Sequence, residues 1–172
     1  MIKYEQKLSP QYQEAVFTML AAADEEFVPP LSKRASTLQQ SFEATQSCCG
    51  VQEYYEKMLA QEFILATNGS ETEGFLTFIK DYCLNINGKE YECDYVTTII
   101  VAKAHRGSGI AEKLYRAFFD IRKGSCFATR TWSTNYAHLH LLKELGFGEI
   151  ATLKDDRGIG IDTIYFLKTV CD

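Results

Sequence analysis

The strongest constraint on the fold is a run of β-branched residues followed, a few residues later, by a glycine-rich loop and an amphipathic stretch. Residues 95–101 (YVTTIIV) suit a buried strand, because β-branched side chains pack well on a pleated surface. Residues 106–109 (RGSG) carry few side-chain atoms and predict a tight turn. From Ile110 onwards the apolar residues recur every three to four positions, which predicts a helix to about Arg122. The stretch therefore has the order strand, loop, helix.

A glycine loop that leads into a helix can bind an anion. The first N–H groups of a helix lack intrahelical partners, and the helix dipole places partial positive charge there. Gly107 and Gly109 would let a phosphate approach the backbone closely. Arg106 adds a cation whose geometry suits phosphate. We therefore predict that residues 106–111 bind a phosphate or pyrophosphate group, although a tight turn without a ligand would have the same local sequence.

Three known phosphate motifs can be compared with this loop. A Walker loop requires Lys-Ser/Thr after its last glycine, and that pair is missing here. The dinucleotide motif begins at residues 107–109 (GSG), but Glu112 occupies the third position, which requires a small residue. The pattern Arg/Gln-x-x-Gly-x-Gly/Ala is matched in full by residues 106–111 (RGSGIA).

This motif, with its strand and helix, resembles the acetyl-CoA loop of the GNAT N-acetyltransferase superfamily. A second element is similar to the Asn-led helix of that family, which closes in Gly-Phe: here Asn135 begins the helix and residues 146–147 end it. The resemblance implies acetyl-CoA as co-substrate. The cofactor-binding residues that it implies are Ile99, Ile100, Val101, Arg106, Gly107, Ser108, Gly109, Ile110, Ala111 and Asn135. Asn135 is explained equally well as a helix N-cap.

In the family, the central strand separates from its neighbour, and its free backbone groups hold the pantetheine arm of the cofactor. By position, residues 99–101 supply those groups here, and one of their N–H groups would face the developing oxyanion. Transfer to an amine also requires a group that takes the amine proton and a group that protonates the thiolate.

The proton donor is where the sequence departs from the family. Many members have a Tyr shortly before the closing Lys-x-Gly-Phe, and Leu142 stands at that position. Leucine cannot donate a proton. The remaining candidates are Tyr136, Ser133 and His140, of which we select Tyr136.

The proton acceptor is equally open. Some members use a Glu on the central strand, and the same spacing falls here on Tyr95. The neighbouring Asp94 is the best acidic candidate, and we predict it as the base, although an Asp near a strand start is commonly solvated. Glu25 and Glu26 would either line the acceptor site or form a charged helix end.

The order of predicted elements is also similar to that of the GNAT family. We predict strands at 2–8, 62–67, 74–84, 95–101, 126–132, 148–153 and 162–170, and helices at 9–23, 32–44, 51–61, 110–122 and 135–145. Asn87-Gly88 predicts a two-residue hairpin turn that pairs Cys83 with Glu92 and Tyr82 with Cys93. The expected class is α/β (α+β): a mixed, twisted central sheet flanked by helices, in a single domain over residues 1–172.

Composition excludes several other classes of protein. A net charge of −5 argues against non-specific binding to nucleic acid or membranes. No apolar run approaches a membrane span, and the N-terminus lacks the apolar core of a signal peptide, so we expect a cytoplasmic protein. The six cysteines are expected to be reduced. We expect no metal site, because His138 and His140 are two residues apart on a predicted helix and point in different directions.

We therefore expect an acetyl-CoA-dependent N-acetyltransferase that moves an acetyl group directly to a primary amine of a small molecule or protein. The alternative is a catalytically impaired acyl-CoA-binding module, suggested by Leu142. A third hypothesis is a nucleotide-binding regulatory domain, which would prefer ATP or NAD to CoA. An exposed last strand would allow a homodimer.

Overall fold

The computed structural model describes residues 1–40, 42, 50–123 and 126–169. The strands in this part of the chain are β1 (Ile2–Glu5), β2 (Glu62–Asn68), β3 (Glu71–Ile86), β4 (Lys89–Val101), β5 (Cys126–Trp132), β6 (Gly148–Leu153) and β7 (Thr163–Thr169). The α-helices are α1 (Pro10–Ala23), α2 (Gly50–Met58), α3 (Ile110–Ile121) and α4 (Tyr136–Glu144). Short 3-10 turns cover Asp24–Glu26, Leu31–Lys33 and Lys103–His105. None of the described helices is long and apolar enough to span a membrane.

The seven strands form one mixed sheet in the order β1-β2-β3-β4-β5-β7-β6. Neighbouring strands are antiparallel except for β4 and β5, which are parallel. Side chains alternate across the sheet, so Phe63 and Leu65 of β2 pack with α1 and α2, while Ile64 and Ala66 pack with α3 and α4. The predicted fold class, a mixed sheet flanked by helices, is confirmed.

The predicted helix over residues 32–44 is wrong where the structure describes the chain. Only the 3-10 turn at Leu31–Lys33 forms, and residues 34–40 are not helical. Polar side chains take the backbone groups that a helix would use: the Ala35 N–H donates to Gln39 Oε1 at 2.8 Å. The Leu38 N–H likewise donates to Ser36 Oγ at 3.2 Å. Residues 41, 43 and 44 of the predicted helix lie outside the described residues.

The predicted hairpin between β3 and β4 is confirmed, including its register. Asn87 and Gly88 have φ values of 53° and 78°, as a two-residue turn of this kind requires. Tyr82 pairs with Cys93 and Cys83 with Glu92, so one cysteine is exposed and the other is buried. Burial raises the pKa of the Cys93 thiol to about 12. Cys83, Cys93 and Cys126 are free thiols; the cysteines at 48, 49 and 171 lie outside the described residues.

The last strand, whose exposure would have favoured a homodimer, is not at an edge of the sheet. Strand β7 lies between β5 and β6, and the edges of the described sheet are β1 and β6. A homodimer stays a prediction, but β7 cannot be the strand that forms it, because both of its sides are already paired.

Candidate active site

The central feature of the site is a gap that opens between the parallel strands β4 and β5. The two strands pair only where Asp94–Val96 lies beside residues 127–129. The register of β4 against β3 shifts just beyond this point, where Val96 pairs with Phe78 and Thr98 with Thr77. Thr97 is the extra residue of a β-bulge, which bends a strand and increases its twist. Strand β4 therefore stays with β3 and turns away from β5.

Backbone groups of β4 face this gap. The Ala102 N–H donates to the Glu73 carbonyl, on the β3 side, at 2.9 Å. Because backbone groups alternate in direction along a strand, those of Ile99 and Val101 point to the other side, towards the gap. The Val101 carbonyl accepts a hydrogen bond from Arg106 Nε at 3.1 Å, which agrees with that direction. The backbone of Ile99 is thus available to a ligand lying along the strand.

The glycine loop lies at the open end of the gap. Gly107 and Gly109 have φ values of 75° and 76°, in the region that favours glycine, and α3 begins at Ile110. In the described chain, the first N–H of this helix that donates to a backbone carbonyl is that of Lys113, to Gly109. The N–H groups of residues 110–112 are therefore available to an anion.

Arg106 is already paired in this structure. Its Nη2 lies 2.8 Å from Glu26 Oε2, and Lys103 Nζ lies 3.1 Å from Glu26 Oε1. Burial would raise the pKa of Glu26, but the hydrogen bonds from these two cations lower it. Arg106, Lys103 and Glu26 together carry one net positive charge. The Arg106 side chain connects the loop to Glu26 and to the Val101 carbonyl at the end of β4. The backbone N–H groups are then the more direct contacts for a phosphate.

The gap and the loop open into one cavity of about 660 Å³, a size typical of small-ligand sites. The predicted cofactor residues that line it are Ile99, Ile100, Val101, Arg106, Gly107, Gly109, Ile110, Ala111 and Asn135. Ser108 does not line it, and its hydroxyl donates to the His105 carbonyl. Asn135 is both an N-cap, accepting from the His138 N–H at 3.4 Å, and a wall of the cavity.

His138 is a cavity residue that sequence reasoning missed as a candidate for chemistry. Its Nε2 lies 2.9 Å from the hydroxyl of Tyr115, which is fully buried on α3. Burial lowers the pKa of His138 to about 4 and raises that of Tyr115. The sequence held one signal for it: His138 is four residues before Leu142, the position at which many family members carry a Tyr. Residues four apart share a helix face. Leu142 itself is fully buried in the core.

The two predicted catalytic residues lie outside the cavity lining. Asp94 is 1% exposed and accepts two hydrogen bonds from Arg122, at 2.8 and 3.1 Å, and one from the Asp81 N–H at 3.0 Å. Tyr136 is 75% exposed. Their catalytic roles stay predictions, and the geometry does not support them. Of the predicted acidic pair before the two prolines, Glu26 lines the cavity and Glu25 does not.

The opposite side of the cavity is formed by residues from the other face of the sheet. Successive side chains of a strand point to opposite faces of the sheet. Along β5, Thr129 faces the α3 and α4 side, so Arg130 and Trp132 face the α1 side. The ring centroids of Trp132 and Phe27 are 5.6 Å apart. Arg130, Trp132 and Phe27 all line the cavity. The cavity therefore passes through the gap from one face of the sheet to the other.

Comparison with known proteins agrees with this geometry. A model of the acetyltransferase (GNAT) family matches residues 31–147. No curated protein matches the chain in sequence. The fold resembles that of yncA from Salmonella typhimurium, solved with acetyl-CoA (16% identity, 100% of this chain and 95% of that chain covered, TM-score 0.65).

Two further solved structures have a similar fold. One is the aminoglycoside 6'-N-acetyltransferase of Enterococcus faecium (15% identity, 100% and 98% covered, TM-score 0.69). The other is the ribosomal-protein-S18-alanine N-acetyltransferase of Escherichia coli (13% identity, 100% and 96% covered, TM-score 0.64). At such low identity, these likenesses show the fold and not the substrate.

Proposed function

The chain belongs to the GNAT acetyltransferase family, and we propose that it moves the acetyl group of acetyl-CoA directly to a primary amine of a small molecule or protein. The observation that carries this proposal is the single cavity that joins the strand gap to the glycine loop. A cavity that crosses the sheet allows a cofactor to enter from one face and an amine from the other. Direct transfer requires both reactants to be held side by side.

The residues present fit acetyl-CoA. The N–H groups of residues 110–112 and the positive charge of the Arg106–Lys103–Glu26 group suit its diphosphate. The gap-facing backbone of Ile99 suits the amides of the pantetheine arm, and a backbone N–H there would face the oxyanion that develops during transfer. Acetyl-CoA supplies the acetyl thioester, and the chain supplies the positions of the reactants and the path of the proton.

We assign the proton path to His138. At neutral pH its ring is neutral, because its pKa is lowered to about 4, so one ring nitrogen carries a proton and the other is free. When the amine nitrogen bonds to the acetyl carbon and the carbon–sulfur bond breaks, the amine loses one proton and the thiolate gains one. The ring nitrogen of His138 that does not contact Tyr115 accepts the amine proton and then passes it to the thiolate, so the ring is neutral before and after. Tyr115 positions the ring.

The test is release of CoA thiol from acetyl-CoA in the presence of a panel of primary amines. We expect amine-dependent, saturable thiol release by the wild type. The His138→Gln variant should lower kcat roughly 100-fold while leaving acetyl-CoA affinity unchanged. Equal turnover by both proteins would exclude His138 from the proton path.

The alternative function, an acyl-CoA-binding module without catalysis, is favoured by one observation: the core position of Leu142, where the family carries a proton donor. Tight acetyl-CoA binding without thiol release to any amine would establish it. The single domain over residues 1–172, the cytoplasmic location and the homodimer stay predictions.

A further inference from the structure

We propose that the acceptor amine carries a carboxylate, which binds to Arg130 on the α1 side of the cavity. This inference rests on the proposed function and narrows its substrate class. It is drawn from an unusual group of cations beside the acceptor end of the cavity, formed by Arg34, Arg130 and Arg157.

The three arginines surround one aromatic ring. Their guanidinium carbons lie 5.2, 5.0 and 4.6 Å from the centroid of Phe42. Arg34 and Arg157 are each 7% exposed, while Arg130 is partly exposed and lines the cavity. Three guanidinium groups are thus held close together in a largely buried place.

The described residues balance the positive charge of this group only in part: Asp156 lies near Arg157 and Asp24 near Arg34. No carboxylate of the described chain lies within ion-pair distance of any of the three arginines. The buried Asp156 instead accepts hydrogen bonds from the Thr163 hydroxyl and the Phe42 N–H. Burial and the two neighbouring arginines lower the pKa of Arg157 to about 9, although Asp156 opposes the shift. Buried charges are normally paired, so the excess calls for an anion.

Contacts with aromatic rings offset part of the free-energy cost of burying these charges, and they do not use the N–H donors. Arg130 lies 5.9 Å from the centroid of the Tyr165 ring, and Arg157 lies 5.5 Å from that of Trp132. Such cation–π contacts stabilise the charge through the ring face. The N–H donors of each guanidinium point outward in the plane of the group, so these ring contacts leave them to other acceptors.

Arg130 has the most donors left for a ligand. Arg34 donates to the carbonyls of Pro29 and Val28, and Arg157 donates to Val28 and to the Thr163 hydroxyl. Within the described chain, Arg130 donates one hydrogen bond, to the Tyr165 hydroxyl at 3.1 Å. A guanidinium has five N–H donors, so its remaining fork can take a carboxylate with two parallel hydrogen bonds. Of the three arginines, it is also the one that lines the cavity.

The position of Arg130 places the carboxylate on the acceptor side. It lies on the sheet face opposite His138, and the apolar walls beside it are Phe27 and Trp132. A compact molecule with an amine and a carboxylate, such as a free amino acid or a short peptide, would direct its amine through the gap while Arg130 holds its acidic end. An amine without an anionic group would leave the cation unpaired.

The experiment compares matched acceptors that differ only in the carboxylate. Free amino acids, their α-carboxamides and dipeptides are assayed by thiol release with the wild type, Arg130→Gln, Arg130→Lys and the control Arg116→Gln. Arg116 is an exposed arginine on α3 that pairs with Glu112. Thermal unfolding of each variant shows that it is folded.

We expect the wild type to prefer the carboxylates over the carboxamides by at least about 10-fold in kcat/KM. Arg130→Gln should abolish that preference by raising KM for the carboxylates, Arg130→Lys should restore part of it, and Arg116→Gln should keep it. Free amino acids and dipeptides distinguish a free acid from a chain terminus as the source of the carboxylate.

The outcomes separate the two proposals. Carboxamides or simple amines that are acetylated as well as the carboxylates, or an Arg130→Gln variant that keeps the preference, would overturn the carboxylate inference and leave the acetyltransferase standing. Acetyl-CoA binding with no turnover of any amine would overturn the proposed function and this inference with it.

Discussion

The hydroxyl of Tyr115 on α3 lies 2.9 Å from Nε2 of His138 on α4, so the two helices meet through a polar contact at the wall of the cavity. Tyr115 comes from the helix that follows the phosphate loop, and His138 comes from the helix led by Asn135. The two sequence elements that resemble the family are therefore joined at the residue to which we assign the proton path. The contact also fixes the orientation of the His138 ring, whose pKa burial lowers to about 4.

The lowered pKa of His138 predicts a loss of stability in acid. In the unfolded chain the pKa returns to its ordinary value of 6.5, so the unfolded state binds more protons between that value and about pH 4. The free energy of unfolding should therefore fall as the pH drops from 6.5 towards 4, and level off below. Between pH 7 and about pH 4.5 we expect this group to contribute a loss of about 2 kcal/mol.

Urea denaturation of the wild type and of His138→Gln at both pH values isolates this contribution. Carboxylates titrate in both proteins, so their share cancels in the comparison. An equal loss of stability in the two proteins would mean that His138 is as basic in the folded state as in the unfolded one.

Removing the carboxylate of Glu26 should strengthen CoA binding. Glu26 neutralises part of the charge of Arg106 and Lys103, so Glu26→Gln leaves both cations available to the phosphates. We expect CoA affinity to rise about 3-fold at low salt, and the gain to shrink as salt screens the charges. Calorimetric titration measures it, with Glu56→Gln on α2 as the control. Weaker binding would show instead that Glu26 must hold Arg106 in place.

Asp94→Asn should destabilise the protein without changing the pH dependence of turnover. The carboxylate is buried and accepts two hydrogen bonds from Arg122, so its neutralisation should cost roughly 2–3 kcal/mol. The matched control is Asp81→Asn, because Asp81 contacts the same arginine at 3.3 Å but is 80% exposed, and it should cost less than about 0.5 kcal/mol. A shifted acidic limb in the pH–rate profile of Asp94→Asn would restore Asp94 as the base.

Two tyrosine variants distinguish Tyr136, the proton donor predicted from the sequence, from Tyr115, which contacts His138 in the structure. Tyr136→Phe should leave kcat unchanged, because the Tyr136 hydroxyl lies outside the cavity lining. Tyr115→Phe should lower kcat by about 10-fold without changing acetyl-CoA affinity, because it removes the partner of the His138 ring. The reverse pattern would place the proton donor at Tyr136.

Local patterns account for the parts of the structure that the sequence predicted well. The turn at Asn87-Gly88 fixes the pairing of Tyr82 with Cys93 because a two-residue hairpin leaves one register. The change from a period of two to a period near 3.6 marks the start of α3 at Ile110. Each of these signals lies within a few residues of the structure that it specifies.

Features that depend on distant parts of the chain could not be predicted from the local residue pattern. The gap beside β4 was expected only from the resemblance to the family, because the bulge at Thr97 that accompanies it has no signal in the residues of that strand. Residues 34–40 are also held by a tertiary contact, added to the local hydrogen bonds that compete with a helix: Gln61, just before β2, donates to Thr37 at 2.7 Å. The arginine group draws on residues 34, 130 and 157, which only the fold brings together.

The most direct test of the central claim is calorimetric titration of the protein with acetyl-CoA, CoA, ATP and NAD in parallel. The cavity formed by the strand gap and the loop at 106–111 predicts micromolar binding of acetyl-CoA and CoA, weakened in Arg106→Glu, with no response to ATP or NAD. Absence of CoA binding would mean that the loop is a turn without a ligand, and it would contradict the account of the site. Preferential binding of ATP or NAD would identify a nucleotide-binding regulatory domain instead.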